Sequence, residues 1–210
     1  MRITKIERQK KNNLRRSIFL DDQYAFGVSE DVFVKLGLHE DQELTQAEVD
    51  EIERTETDLS VKSAALRFRS YRPRSQKEIE DHLHKKGYEN THIVRAIEYL
   101  QAQNLLNDEE FARMFCRDKL ALKPIGKQAM KNQLMKRGIS KELIESILRD
   151  YYTDEKEEAL AVKEAEKKLR RLRTLPPLIK KQKIYNHLLR KGYDASLSRS
   201  ITNQLLNENA

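Results

Sequence analysis

The sequence predicts a mainly α-helical protein: tandem three-helix repeats in an elongated, curved array, preceded by a small α+β module. Three observations carry that expectation. A basic–glycine–apolar stop closes a helical pattern three times, at Lys86-Gly87-Tyr88, Arg137-Gly138-Ile139 and Lys191-Gly192-Tyr193. From about residue 60 onward, apolar positions recur with the period of a helix. The composition, 38% apolar against 36% charged, suits thin helical layers with wide solvated faces better than one thick core.

The stop has a reading in chain physics. Cations in a last helical turn are favoured by the macrodipole and the free carbonyls, glycine supplies the left-handed conformation just past the helix, and the apolar residue covers the end. A stop repeated at intervals of about fifty residues implies a repeated fold, whose units are too small to hold a core alone and must bury faces against their neighbours.

Taken in order, Ile3 and Ile6, the run Ile18-Phe19-Leu20, a break at Asp21-Asp22 and the run Tyr24-Ala25-Phe26-Gly27-Val28 predict a small hairpin within residues 2–28. Ser29 caps a short helix over Val32, Phe33 and Leu36 that Gly37 stops; Thr45 caps another over Val49 and Ile52, with Glu48 completing a capping box. The first repeat has helices over Val61, Ala64, Ala65 and Phe68, then over Ile79 and Leu83, then over Ile93, Ile97 and Leu100. Pro73 stops its first helix, and Ser75 with Glu78 forms the capping box of its second.

In the second repeat Asp108 is the expected N-cap of a helix over Phe111, Met114 and Phe115; Pro124 precedes a helix over Met130 and Leu134, and Leu143 and Ile147 supply the third. The third repeat has a long charged helix from about Asp154 to Arg173, then Pro176-Pro177, a helix over Ile184 and Leu188, and one over Leu197, Ile201 and Leu205. The expected division is a module at 1–58 and repeats at 59–107, 108–153 and 154–210.

Few kinds of chemistry fit these residues. No phosphate-binding glycine loop, nucleophile elbow or helix presenting two His and a Glu occurs, so the expectation is no enzyme, no cofactor and no metal. Asp154, Glu155, Glu157 and Glu158 sit where a helix N-terminus favours negative charge. Cys116, beside Phe115 on an apolar stripe, reads as core, while His82 and His84, two apart on a helix, point to different faces and read as solvated. Tyr88 and Tyr193 are expected to pack over the turns they follow. A lone cysteine, the lack of a secretory core in MRITKIERQKKNN and the lack of any run of transmembrane length predict a cytoplasmic protein that makes no membrane contact.

Charge points to a partner. The net charge is +7, but residues 1–60 carry 9 Lys/Arg against 14 Asp/Glu, net −5, whereas residues 61–210 carry 32 against 20, net +12. That field favours a polyanion. Basic residues recur at each proline turn: Arg67, Arg69, Arg72 and Arg74 at the first; Lys123, Lys127 and Lys131 at the second, where a spacing of four puts all three on one helical face; Arg170, Arg171 and Arg173 before the third, with Lys180, Lys181 and Lys183 after it. Any one of them belongs on an ordinary solvated face, but recurring at equivalent turns of stacked units they form a stripe suited to a phosphate backbone or a nucleoprotein filament.

The stretches YRPRSQKEIEDHL (71–83), KKGY (85–88), NLLNDEEFAR (104–113) and KPIGKQAMKNQLMKRGIS (123–140) resemble the RecX family of bacterial regulatory proteins. The resemblance covers about residues 60–205, looser in the third repeat; residues 1–60 look like the extra N-terminal segment of some members. It implies a monomer of three-helix repeats that lodges on the RecA filament on single-stranded DNA and inhibits strand exchange and ATP hydrolysis, in some members also binding DNA directly. The family's Arg-Pro-Arg-Ser stretch falls on Arg72, Pro73, Arg74 and Ser75, with Arg72 and Arg74 as the exposed contact candidates. Members with the extra segment often continue into further helical repeat, so on this resemblance a chain ending soon after Leu206 is incomplete. The alternative is a direct DNA-binding regulator using one repeat as a helix-turn-helix reader, against which no second or third helix opens with an Asn/Gln/Arg-rich face suited to base edges.

Overall fold

A computed structural model describes residues 1–10 and 12–207. The chain opens with three antiparallel strands in the order β1 (Ile3–Gln9), β2 (Asn12–Leu20) and β3 (Gln23–Ser29). Asp21 and Asp22, both left-handed at φ 48° and 68°, make the two-residue turn between Leu20 and its partner Gln23. A turn with both central residues at positive φ matches the twist of the strands it joins. The expected hairpin is therefore β2–β3, and β1 extends it to a meander. Periodicity alone gave β1 little weight because ITKIERQ has two apolar residues, of which Ile3 is buried and Ile6 half-buried.

Ser29 caps α1 (Glu30–Leu36) and Thr45 caps α2 (Gln46–Ser70), with the Thr45–Glu48 capping box formed in both directions. Ile3, Ile18, Phe26 and Val28 from the sheet, Val32 from α1, and Val49 and Ile52 from α2 make one core. No glycine or proline interrupts residues 46–70, and α2 runs on for 25 residues through the expected division at 58/59. Its polar middle has work on both sides. Glu56 accepts hydrogen bonds from the Ser29 backbone N–H and hydroxyl, each 2.8 Å, and pairs with Arg15 at 2.6 Å, while Asp58 pairs with His92 at 2.6 Å and Arg95 at 3.0 Å. Burial works against the charged form of Asp58, but those two hydrogen bonds prevail and hold its carboxyl below the ordinary range.

The remaining helices are α3 (Gln76–Lys85), α4 (Asn90–Ala102), α5 (Asp108–Leu122), α6 (Lys127–Met135), α7 (Lys141–Tyr151), α8 (Asp154–Arg170), α9 (Pro177–Lys191) and α10 (Ala195–Asn207). With α2 they make three groups of three, α2–α4, α5–α7 and α8–α10, so the mainly α expectation, with its repeats and small α+β start, is met. The chain packs as two compact units, residues 1–72 with 79–103, and residues 73–78 with 104–210. The second unit therefore includes the first turn of α3.

Two cores fill the second unit. One gathers Phe111, Cys116, Met130, Leu134, Ile144 and Ile147; the other gathers Ala161, Ala165, Ile184, Leu188, Tyr193 and Ile201. Full burial of a leucine such as Leu134 or Leu188 contributes about 2 kcal/mol. Cys116 is core, as expected, and burial pushes its thiol up to about 11. The α5 cap is Asn107, whose Oδ1 accepts from Glu109 and Glu110 N–H, and not the expected Asp108, which is already helical. His82 is not solvated but half-buried, its ring stacked on Phe68 with centroids 3.9 Å apart.

Candidate functional site

All three stops fold alike. The apolar residue donates its N–H to a carbonyl five residues back, Tyr88 to Leu83 at 3.3 Å, Ile139 to Leu134 at 3.2 Å and Tyr193 to Leu188 at 3.2 Å. Each glycine donates three back, at 2.9–3.0 Å, with φ of 84°, 80° and 87°. These are Schellman ends, and the residue after each glycine does pack: Ile139 and Tyr193 are buried, and the half-buried Tyr88 puts its hydroxyl 3.0 Å from Ser60.

Within the second unit, two stops are also joints. Gly192 lies on the N-terminus of α6: Gly126 donates its N–H to Lys191 O at 2.9 Å and Gln128 to Gly192 O at 3.2 Å. The free carbonyls ending α9 thus accept from free amides opening α6, which satisfies both orphan sets at once. The approach is close enough that a Cβ on Gly126 would fall on the Gly192 backbone. Lys191 reaches Pro124 O at 3.3 Å and Glu164 at 3.0 Å. Gly138 lies in the same way against Lys77 in the first turn of α3, where an added Cβ would stand 2.6 Å from Lys77 Cβ, and Arg137 reaches toward Glu78 at 3.9 Å.

Each joint has an acid as well. Asp108 accepts the Gln76 N–H at 2.8 Å at the start of α3, and Glu157 accepts the Lys127 N–H at 2.8 Å at the start of α6. Burial raises the pKa of Glu157, against the pull of that hydrogen bond. From the sequence, Asp108 reads as the N-cap of its own helix and Glu157 as a charge favoured near the start of its own. Their place in the first turn was legible, but their service to the preceding repeat was not.

The basic candidates are distributed unevenly. Arg67 and Arg69 end α2, and Arg72 and Arg74 flank Pro73 beyond it; Arg67 and Arg72 are exposed, Arg69 and Arg74 half-buried. Lys123 is not on a face with Lys127 and Lys131, because it terminates α5 in an extended conformation and Pro124-Ile125-Gly126 intervene before α6 begins. Lys127 and Lys131 do share a face, lining a shallow cleft of about 500 Å³ in which Lys131 is paired with Glu145 at 3.5 Å.

The third cluster is different. Arg170 ends α8, Arg171 caps it, Arg173 lies in the turn, and Lys180, Lys181 and Lys183 occupy the first two turns of α9. Among the described residues none of these six forms an ion pair. The first turn of α9 carries no acid, so Lys180 and Lys181 are set against the macrodipole, an arrangement that costs roughly 0.3–1 kcal/mol per charge unless an anion is present. That is the strongest uncompensated positive charge the candidates offer. Among the described residues, no helix is long and apolar enough to cross a membrane.

Comparison with known proteins identifies four family domains in this order: the regulatory protein RecX N-terminal domain at residues 1–45, and the first, second and third RecX three-helix domains at 62–100, 107–148 and 155–201. The likeness thus reaches the N-terminal module, beyond the span suggested by motifs alone. Regulatory protein RecX of Listeria welshimeri is 31% identical over 99% of this chain and 77% of its own length. Its namesakes from Bacillus licheniformis and Clostridium botulinum are 38% and 32% identical, over 91% and 98% of this chain and 72% and 97% of theirs. A crystal structure of regulatory protein RecX superposes with a TM-score of 0.74 at 28% identity, covering 96% of this chain and 98% of that one. RecX from Lactobacillus salivarius gives 0.65 at 29%, covering 73% and 99%.

Proposed function

Because the chain belongs to the RecX family of regulatory proteins, we propose that it binds the RecA filament on single-stranded DNA and restrains it, without catalysing a reaction itself. The observation that carries this reading is the uncompensated cluster of Arg170, Arg171, Arg173, Lys180, Lys181 and Lys183 around the α8–α9 turn. Lysines at a helix N-terminus against the dipole suit phosphate oxygens, which the free amides of the same turn also favour. A chain that bridges successive protomers of a filament resists the rotations that turnover needs, so inhibition requires only binding. The protein works in the cytoplasm on this reading, as a monomer.

The test is single-stranded-DNA-dependent ATP hydrolysis by RecA, with this protein titrated at two salt concentrations and added before or after filament assembly. Inhibition well below the concentration that coats free DNA supports filament binding, and order of addition separates blocked growth from action on a finished filament. Inhibition only once the DNA is saturated would reduce the activity to competition for DNA, the outcome expected of a direct DNA-binding regulator. Charge reversal at Lys180 and Lys181 is expected to weaken inhibition more than reversal at Lys127 and Lys131, since Lys131 already has a partner.

A further inference from the structure

The stop at Gly87 has the same backbone as the other two, yet nothing sits on it. A Cβ at Gly87 would meet no atom within 4 Å, whereas those at Gly138 and Gly192 would strike the start of a neighbouring helix. His84, Lys85, Lys86 and Gly87 are all exposed. Arg137 and Lys191, the cations preceding the other two glycines, reach Glu78 and Pro124 O, but among the described residues Lys86 has no ion-pair partner. The acid half of a joint is nonetheless made here: Glu56 of α2 holds the Ser29 cap of α1 through two hydrogen bonds, as Asp108 and Glu157 hold the starts of α3 and α6. Between that cap and Lys86 lies a cleft of about 560 Å³, walled by Leu59, Phe68, Tyr71, Tyr88 and Arg67.

We propose that the Gly87 end of α3, with the cleft beside it, is a seat for a helix N-terminus on a protein partner, one with a small residue at its start and a carboxylate in its first turn. The chain fills this kind of seat twice itself. In the filled joints the incoming helix brings Gly126 and Ala129 in one case and Glu78 in the other, which give the size and charge the occupant needs. Lys86 and Arg67 favour the carboxylate, the orphan carbonyls ending α3 accept the amides, and the aromatic wall takes an apolar side chain. The inference rests on the filament reading for the partner's identity, a helix of the RecA protomer.

Gly87→Asn keeps a residue that tolerates the left-handed conformation but places a side chain in the seat, and Lys86→Glu reverses its charge. Gly37→Asn is the control, since Gly37 is also left-handed and open, at φ 60°. Inhibition of RecA ATP hydrolysis by the wild-type chain tests the filament reading, and its absence would sink that reading by itself. Given that inhibition, G87N and K86E are each expected to raise the half-inhibiting concentration about tenfold, with G37N unchanged. Full inhibition by both would overturn the seat, as would an equal loss of binding by K86E to a single-stranded oligonucleotide alone. A benzophenone placed at Lys86→Cys, with Cys116 buried and unlabelled, is expected to crosslink to a helix start of RecA; crosslinks confined to DNA or to this chain would overturn the proposal.

Discussion

The Gly192 and Gly138 joints share a design and differ in hardness. At Gly192 two backbone hydrogen bonds hold the ends of α9 and α6 together, and a methyl group there would run into Ala129, whose backbone N would stand at 2.5 Å. At Gly138 the neighbour is the side chain of Lys77: its Cβ, at 2.6 Å, is fixed to the helix, and only its outer carbons, at 3.0 and 3.3 Å, can turn aside. Contact with backbone fixes a joint, whereas contact with a long side chain leaves it adjustable. The Gly192 joint, where the added atom meets Ala129 Cβ, N and Cα together, is therefore the harder of the two.

Alanine at each glycine ranks these sites. Gly192→Ala combines left-handed strain with a clash against fixed backbone and is expected to cost about 3 kcal/mol or more in thermal or urea unfolding. A loss no larger than at the open Gly87 would mean the tight joint breathes. Gly138→Ala is expected to cost about 2 kcal/mol, and Gly87→Ala about 1 kcal/mol from backbone strain alone. Equal costs at all three would erase the distinction between hard and soft joints.

The acids sharpen the comparison. Glu157→Ala and Asp108→Ala each remove a helix-capping acceptor and are expected to cost about 1 kcal/mol. Because burial raises the Glu157 pKa, the folded chain holds that proton more tightly than the unfolded one. The resulting stability is fully present below the ordinary value of 4.5 and is lost as pH rises through the raised pKa. Glu157→Gln keeps an acceptor and removes the titration, so wild type should lose ground to E157Q on going from pH 4 to pH 7; a constant difference in urea midpoints would contradict this. The smallest effect is at Cys116: a buried thiol pushed up to about 11 should not react with iodoacetamide at pH 8 until the chain unfolds, and rapid native labelling would show that core opening.

What the sequence made legible was local. The stops, the Thr45 capping box and the apolar stripes each depend on residues within two turns of one another, and all are present. What stayed hidden needs a distant partner. Gly126 looks like turn punctuation until the end of α9 lies on it, and Asp108 looks like a cap until Gln76 claims its carboxylate. Lys123 was grouped with Lys127 by spacing, which cannot see that the helix restarts between them. The division expected at 58/59 falls inside α2, where Glu56 anchors to Ser29 and Arg15 and Asp58 to His92 and Arg95, partners that lie far away in sequence. The basic clusters were visible as residues, but only ion-pair geometry separates the partnered Lys131 from the unpartnered set around α8 and α9.

The continuity of α2 sets how the first unit responds to load. Its N-terminal half is clamped in the sheet core through Val49 and Ile52, and its C-terminal half carries Val61 and Ala65 into the first repeat, with hydrogen-bonded backbone between. It behaves as a shaft seated in two bearings. Glu56 ties this helix to the Ser29 cap and Ser60 ties it to Tyr88, so the acidic module and the Gly87 end hang on one hydrogen-bonded rod and not on a tether.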